Sequence, residues 1–307
     1  MLDIVGYNYQ EDRYPGDHPK YPKRFIYGSE NGRGWMEWLV VRDNAYVGGQ
    51  FLWTGIDYLG EANAWPNRGS SAGLLDLCGF KKPSAWFRQS LWSDAPMVYL
   101  CASARGDGFG RRQRGGDFGA RESWNWPTNA FVTVRCYTTC AEVDLLLNDK
   151  PLGTKRLAEA EQGVLTWQVP FEPGVLRAVG RTKGSAACDF TLRTAGAARR
   201  VALVPDRQEL AADGRDVCHL EFQIVDGQGV RVPDATNEVT LIVDGPAQLL
   251  GIENGDLNSP ATGKGPSRNA LRGRGLAILQ SRTTPGTIRL TASASGLDAG
   301  QATLNCR

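Results

Sequence analysis

Hydrophobic and polar positions follow two different patterns, which meet near residue 95. Before this point, short apolar runs at residues 2–9, 25–27 and 47–53 alternate with loops and with helical spacing at 35–41 and 84–92. The order strand, loop, strand, helix, strand, loop, helix is typical of the last three units of a (β/α)8 barrel. Residues 1–94 are therefore predicted to be α/β, a partial C-terminal portion of such a barrel. Residues 10–22, rich in proline and charge, are predicted to form a loop.

After residue 95 the pattern predicts only β-strands. In residues 217–225, Leu220, Phe222 and Ile224 alternate with polar residues, which indicates a half-buried strand with His219 on its wet face. The segment Asn148-Asp-Lys150 occupies a hairpin-like position between Leu147 and Leu152. The predicted strands are 98–101, 131–137, 143–147, 165–169, 176–180, 201–204, 217–225, 239–243, 276–280 and 288–292. Their spacing predicts two immunoglobulin-like β-sandwiches, at residues 95–196 and 197–307.

Acidic and aromatic residues follow two successive strands of the α/β part. Glu30 comes after Gly28-Ser29 at the end of one run, and Trp53, Asp57 and Glu61 follow the next. Side chains at the C-terminal ends of barrel strands carry the chemistry of that fold, so these residues are candidates for a catalytic rim. The alternative is that Glu30 is a solvated cap or a salt-bridge partner, as most glutamates are.

The motifs along the chain resemble glycoside hydrolase family 2, and in particular its β-galactosidase-like members with long C-terminal extensions. The resemblance covers nearly the whole chain, in order and in spacing. In the α/β part it rests on Leu2-Asp-Ile-Val-Gly-Tyr-Asn-Tyr9, Gly28-Ser-Glu30, Gly49-Gln-Phe-Leu-Trp53-Thr-Gly-Ile-Asp57 and Gly73-Leu-Leu-Asp76. In the β part it rests on Trp124-Asn-Trp126-Pro, Val143-Asp-Leu-Leu-Leu-Asn148, Asn254-Gly-Asp256 and Thr287-Ile-Arg-Leu-Thr-Ala-Ser-Ala294.

The resemblance implies retaining hydrolysis of terminal β-linked sugars, most closely β-galactosides. By position in the motifs, Glu30 is the expected nucleophile, and Tyr9 is the expected hydrogen-bond partner of its carboxylate, with Tyr7 and Asn8 left open as alternatives. Trp53 is the expected floor under the sugar ring, because an apolar sugar face stacks on an indole. Asp57 and Glu61 are expected either to bind sugar hydroxyls or to hold the loops of the rim. A glucuronidase fits less well, since the loop Asn67-Arg-Gly-Ser-Ser71 lacks the lysine of that group's Asn-x-Lys motif.

Two departures from the family pattern bear on activity. The acid/base glutamate of the family lies on a barrel strand that precedes the matching part of this chain, so no acid/base residue is assigned here, and the chain alone is expected to be inactive. The sequence after Glu30, Asn31-Gly-Arg-Gly34, also differs from other members. The expected partners are a carbohydrate substrate and the missing N-terminal part of the same enzyme. The alternative is a non-catalytic β-sandwich protein that binds carbohydrate or a partner and carries a vestigial barrel remnant.

Composition and charge bear on which other classes of protein this chain could belong to. A net charge of +2 does not indicate a protein that binds nucleic acid through a basic surface. No apolar run is long enough to predict a membrane span. The Gly/Arg-rich stretch 105–121, with its Arg105-Gly-Asp107 tripeptide, is predicted to be a solvated connector, against the alternatives of a nucleic-acid patch or an integrin motif. No signal-like stretch opens the chain, although family members of this type are often exported or periplasmic, so localisation is left unassigned.

Cysteine and histidine usage argues against a metal centre. The chain has seven cysteines and two histidines, and the pair Cys136 and Cys140 has no second Cys/His pair to complete a zinc site. Most cysteines are expected to be small core hydrophobes. No cofactor is predicted.

Overall fold

The computed structural model describes residues 2–104 and 119–307, and most of its regular structure is β-strand. It divides into two compact units that are each discontinuous along the chain. The first unit contains residues 1–57, 71–75 and 81–192, and the second contains residues 58–70, 76–80 and 193–307. The Gly/Arg-rich connector, including Arg105-Gly-Asp107, lies outside the described residues up to residue 118.

The described residues form three α-helices and twenty-one β-strands. The helices are α1 (Tyr14–Asp17), α2 (Trp35–Arg42) and α3 (Pro83–Trp92), with single 3-10 turns at Glu11–Arg13, His18–Lys20 and Leu157–Glu159. The strands are β1 (Ile4–Asn8), β2 (Phe25–Asn31), β3 (Val47–Leu52), β4 (Tyr58–Leu59), β5 (Gly69–Ser70), β6 (Val98–Ala104), β7 (Phe131–Thr138), β8 (Glu142–Leu147), β9 (Lys150–Arg156), β10 (Leu165–Pro170), β11 (Val175–Thr182), β12 (Ser185–Arg193), β13 (Arg200–Pro205), β14 (Glu209–Leu210), β15 (Val217–Val225), β16 (Glu238–Asp244), β17 (Ala247–Glu253), β18 (Ser267–Asn269), β19 (Arg274–Ser281), β20 (Gly286–Ser293) and β21 (Gly300–Cys306). Every strand predicted from the hydrophobic pattern is present, and several are longer than predicted.

The N-terminal part of the first unit is a three-stranded parallel sheet in the order β1-β2-β3. One face is apolar and covered, with Ile26 and Val47 packed on Tyr14 of α1. The opposite face carries Ile4, Phe25 and other apolar side chains that stay exposed. The sheet therefore buries one face only.

The predicted loop at residues 10–22 is largely helical, which corrects the prediction. It is built from α1 and the two 3-10 turns that flank it. Pro15 occupies the first turn of α1, where its missing N–H costs nothing, and Tyr14 is fully buried against the sheet. This short helical segment covers the buried face of the sheet.

Strands β6 to β12 form a β-sandwich in the first unit. Sheets β10-β7-β6 and β12-β11-β8-β9 share one core, which includes Leu100, Trp124 and Leu145. Asn148 and Asp149 both adopt positive φ between the paired strands β8 and β9, as a two-residue hairpin turn requires. The hairpin prediction is confirmed.

The second unit is also a β-sandwich. Its sheets β13-β15-β19-β17 and β14-β21-β20-β16-β18 enclose a separate core. On β15 the alternation is confirmed, because Leu220, Phe222 and Ile224 are buried while His219 is exposed. Among the described residues, no helix is both long and apolar enough to cross a membrane.

A candidate site at the ends of three parallel strands

Glu30 lies near the end of the central strand of the parallel sheet and is half-buried. The neighbouring strands end beside it. The backbone N–H of Tyr9 donates to the Glu30 carbonyl oxygen at 2.8 Å, and the N–H of Trp53 donates to the Asn31 carbonyl at 3.1 Å. Because the strands are parallel, their C-terminal ends meet at one edge of the sheet. The structure therefore brings Tyr9, Glu30 and Trp53 together.

Tyr7 and Tyr9 differ in whether they can reach the end of the strand that carries Glu30. The Tyr7 hydroxyl donates to the Asp17 carboxylate at 2.9 Å, which ties Tyr7 to α1. Burial, followed by the hydrogen bond to Asp17, raises the pKa of Tyr7. Tyr9 follows β1 with φ of 50°, so the chain turns out of the sheet at this residue. Asn8 accepts a hydrogen bond from Ser29 Oγ at 2.6 Å. Of the three residues left open by the sequence, Tyr7 is held at a distance from the strand end by its own partner, and Tyr9 occupies the edge.

Trp53 directly follows β3 and presents 38% of its surface to solvent. Its backbone is held by Asn31, a fully buried residue whose amide Nδ2 donates to the Tyr14 hydroxyl. A partly exposed indole on an anchored backbone is a surface on which an apolar ring face can stack.

Asp57 is buried and forms an ion pair. Its Oδ1 accepts from Lys82 Nζ at 2.6 Å and from the Gly73 N–H at 2.8 Å. Lys82 Nζ also donates to the Ser71 carbonyl at 2.9 Å, and Arg33 Nη1 donates to the Gly73 carbonyl at 2.8 Å. These contacts tie residues 71–75 to the segments that follow β2 and β3. Between the two roles expected for Asp57, its contacts favour holding the loop.

Glu61 belongs to the second unit. It is exposed, has φ of 47°, and accepts a hydrogen bond from the Tyr58 hydroxyl. Its segment is fixed to the second unit, because the Arg68 N–H donates to the Leu257 carbonyl at 2.8 Å and the Gly60 N–H donates to the Arg68 carbonyl at 2.9 Å.

Sequence reasoning did not single out Glu11 or the contact made by Arg33. Burial raises the pKa of Glu11, whose carboxylate accepts a hydrogen bond from the backbone of Gly32, just beyond β2. Arg33 is buried although it follows an exposed-looking Asn-Gly pair. The only sequence signal for Glu11 was its place two residues after Tyr9 at the end of β1. In residues 2–104 and 119–307, no group of three or more His, Cys, Asp or Glu side chains is placed to share a metal ion.

The edge of the parallel sheet combines three kinds of side chain that sugar sites use. They are the Glu30 carboxylate near the end of β2, the Trp53 indole after β3 and the Tyr9 ring after β1. Carboxylates attack or stabilise cationic sugar centres, and aromatic faces bind sugar rings.

Comparison with known families matches two segments of the chain. Residues 201–303 match the glycoside hydrolase family 2 C-terminal domain 5, and residues 130–188 match a domain of unknown function, DUF4982. Both segments lie in the β-rich part.

Individual relatives match longer parts of the chain, and one solved structure matches all of it. The chain is 34% identical to a β-galactosidase, BoGH2A, of Bacteroides ovatus over 84% of its own length, which is 28% of that protein. It is 27% identical to a putative β-glucuronidase of Formosa agariphila over 73% of its length and 21% of that protein. The solved structure of a glycosyl hydrolase family 2 member from Bacteroides cellulosilyticus matches with a TM-score of 0.89 at 31% identity, covering 100% of this chain and 42% of that one. The chain thus spans less than half the length of these relatives.

Proposed function

The chain belongs to glycoside hydrolase family 2, as a C-terminal portion, and on this premise we propose that it supplies the nucleophile side of a retaining β-glycosidase site. The observation that carries the proposal is the position of Glu30, at the end of the central parallel strand with Tyr9 and Trp53 at the neighbouring strand ends. The relatives with this similarity are β-galactosidases and β-glucuronidases by name.

In the proposed reaction, a Glu30 carboxylate oxygen attacks the anomeric carbon and forms a glycosyl ester, while the bond to the leaving oxygen breaks and that oxygen takes a proton from an acid/base group. A water molecule then gives a proton back to this group, cleaves the ester and releases the sugar with retained configuration. Trp53 stacks on the sugar ring, and Tyr9 hydrogen-bonds the Glu30 carboxylate. Asp57 acts through its ion pair with Lys82, which holds residues 71–75 at the rim. Glu61 remains a proposed substrate-binding residue.

The acid/base group is proposed to come from an upstream part of the same enzyme. The uncovered face of the parallel sheet supports this, since Phe25 and Phe51 are 49% and 67% exposed and Tyr27 packs edge-on against Phe51. Parallel sheets are generally covered on both faces, so this surface favours further strands that close a barrel. We propose that residues 1–94 are the end of that barrel, followed by accessory sandwiches at 95–196 and 197–307.

The chain alone is proposed to be inactive, because general acid assistance contributes roughly 10²- to 10⁴-fold and the assigned site has no such group. For the completed enzyme we propose β-galactosides as the substrate class. This choice rests on the higher identity to the β-galactosidase than to the putative β-glucuronidase.

The test uses the chain joined to its upstream barrel. Purified protein is assayed with aryl β-galactoside and aryl β-glucuronide, and a mechanism-based 2-fluorosugar is used to trap the glycosyl ester. We expect the label on Glu30, and we expect Glu30→Gln to lose several powers of ten in kcat, since no other group forms the ester.

The matched control is Glu142→Gln, a glutamate on β8 that pairs with Arg156 at the surface. It should keep full activity and leave labelling unchanged. Labelling of Asp57 or Glu61 would overturn the assignment of the nucleophile. Binding of sugar without turnover in the joined protein would favour the non-catalytic β-sandwich reading instead. A preference for the glucuronide would overturn the substrate class alone.

A further inference from the structure

The first sandwich contains two thiols in contact. The sulfur atoms of Cys140 and Cys188 are 3.5 Å apart, although the two residues are separated by 48 positions. Both belong to the same core, where Cys140 is fully buried and Cys188 is partly exposed.

The fold holds these two residues on different elements. Cys140 lies in the turn between β7 and β8, where its N–H donates to Thr138 Oγ1 at 2.9 Å. Cys188 lies on β12, the edge strand of its sheet. Gly180 on β11 leaves the space for the Cys140 thiol, because a Cβ at residue 180 would come within 2.6 Å of that sulfur. A glycine on β11 therefore permits the contact.

We propose that Cys140 and Cys188 form a disulfide when the protein meets a small disulfide oxidant. A disulfide requires its sulfur atoms about 2.05 Å apart, so the pair has to close by about 1.5 Å. The bond would join the edge strand β12 to the turn that begins β8. The proposal is independent of the proposed hydrolase function, since neither cysteine lies at the parallel sheet.

The chemistry balances with an oxidant of the oxidised-glutathione class. The Cys188 thiol loses its proton, and its sulfur attacks one sulfur of the oxidant, which releases one half as a thiol. The Cys140 thiol then loses its proton, attacks the Cys188 sulfur and releases the second half. Two protein thiols are oxidised to one disulfide, and the oxidant is reduced to two thiols. Cys188 reacts first because it is the more exposed of the two.

The other cysteines of this sandwich are placed differently. Cys101 and Cys136 lie on the adjacent strands β6 and β7 but belong to different apolar clusters, on opposite faces of their sheet. Their thiols therefore point apart.

Burial and the contact with Cys140 raise the pKa of Cys188 to about 12. Only a small fraction of the thiol is ionised at neutral pH, and the thiolate is the attacking species. The rate of disulfide formation should therefore rise about tenfold for each pH unit between 7 and 9.

The experiment uses the whole folded chain. It is reduced, freed of reductant, incubated with oxidised glutathione, denatured, alkylated, digested and analysed by mass spectrometry. We expect two of the seven cysteines to escape alkylation and a cross-linked peptide pair containing Cys140 and Cys188. In Cys188→Ser and in Cys140→Ala, no cysteine should escape alkylation and the cross-linked peptide pair should be absent. The control Cys218→Ala removes a thiol of the second unit that is as buried as that of Cys140. It should leave the cross-link between Cys140 and Cys188 unchanged.

Three results would overturn the proposal. One is alkylation of all seven cysteines after oxidation of the folded chain. Another is a stable mixed disulfide between glutathione and Cys188 with no cross-linked peptide. The third is a cross-link between any other pair. Because the wild-type peptide map is decisive by itself, a variant that fails to fold does not remove the test.

Discussion

Replacing Lys82 by methionine should destabilise the first unit strongly. The substitution keeps the aliphatic stem of the side chain and removes the ammonium that pairs with Asp57. The carboxylate of Asp57 would then stay buried with the Gly73 N–H as its remaining donor at Oδ1. A buried charge without its partner is costly because the low-polarity interior solvates it poorly.

The exposures of the two side chains set the magnitude. Asp57 is 5% exposed and Lys82 is 15% exposed, so water screens the pair little. Removal of one partner of a buried ion pair typically costs 3–5 kcal/mol, and the slight exposure of Lys82 favours the lower end, about 3 kcal/mol. Asp57→Asn should cost less, about 1–2 kcal/mol, because the amide oxygen still accepts from Gly73 and no buried anion is left.

The assay is urea unfolding of the whole chain, monitored through its tryptophan fluorescence. All tryptophans except Trp65 lie in the first unit, so the signal reports mainly on that unit. The control is Arg177→Met, which breaks the pair with Asp189. Both of its side chains are about half exposed, at 49% and 48%, and such surface pairs contribute less than about 1 kcal/mol.

A cost for Lys82→Met no larger than that for Arg177→Met would refute the reasoning. The network around Gly73 would then not hold the rim loop, and Asp57 would be free for direct contact with a sugar. A cost for Asp57→Asn equal to that for Lys82→Met would show that the uncompensated charge is not the source of the effect.

Two further predictions concern other contacts in the first unit. Trp124→Ala should cost about 3–5 kcal/mol, because Trp124 is fully buried and its Nε1 donates to the Glu172 carbonyl at 3.0 Å; urea unfolding measures the loss. The hydrogen bond from Thr154, with the nearby Arg181, lowers the pKa of Asp144 below its usual value. Its stabilisation is therefore present above the unfolded pKa of about 3.9 and is lost as the pH falls through the lowered value. The difference in urea midpoint between the wild type and Asp144→Asn should be constant near neutral pH and shrink below about pH 4; a difference that grows on acidification would contradict this.

The hydrophobic pattern predicted most of the inner strands because each buries one alternating face, but it missed β21, which lies inside its sheet. Residues 217–225 were predicted as a strand and form β15 with the same bounds. The edge strands β9 and β12 were missed, since both are largely exposed and show little alternation. Burial against the core, rather than β propensity, carries the sequence signal.

The candidate site was predicted in part. The place of Glu30 at a strand end is local information, because an apolar run precedes it in sequence. The partner of Asp57 lies 25 residues away, and nothing local marks Lys82 as buried. In the same way, Tyr14 looked like part of a polar loop and is fully buried. The roles of Asp57 and Tyr14 depend on contacts between segments that are distant in sequence. The hydrophobic pattern of one segment cannot predict such contacts.

The interleaving of the two units has a consequence for how this chain can be cut and recombined. Residues 58–70 and 76–80 pack with residues 193–307, far away in the gene. In the second unit, Arg68 donates to the Ala261 carbonyl, and Arg274 lies 3.8 Å over the Phe80 ring. A crossover placed near residue 196 would separate these partners and leave a transplanted C-terminal sandwich without its covering segment. Exchange of modules among such genes should therefore succeed when residues 58–70 and 76–80 come from the same parent as residues 193–307, and chimaeras that ignore this rule should express poorly.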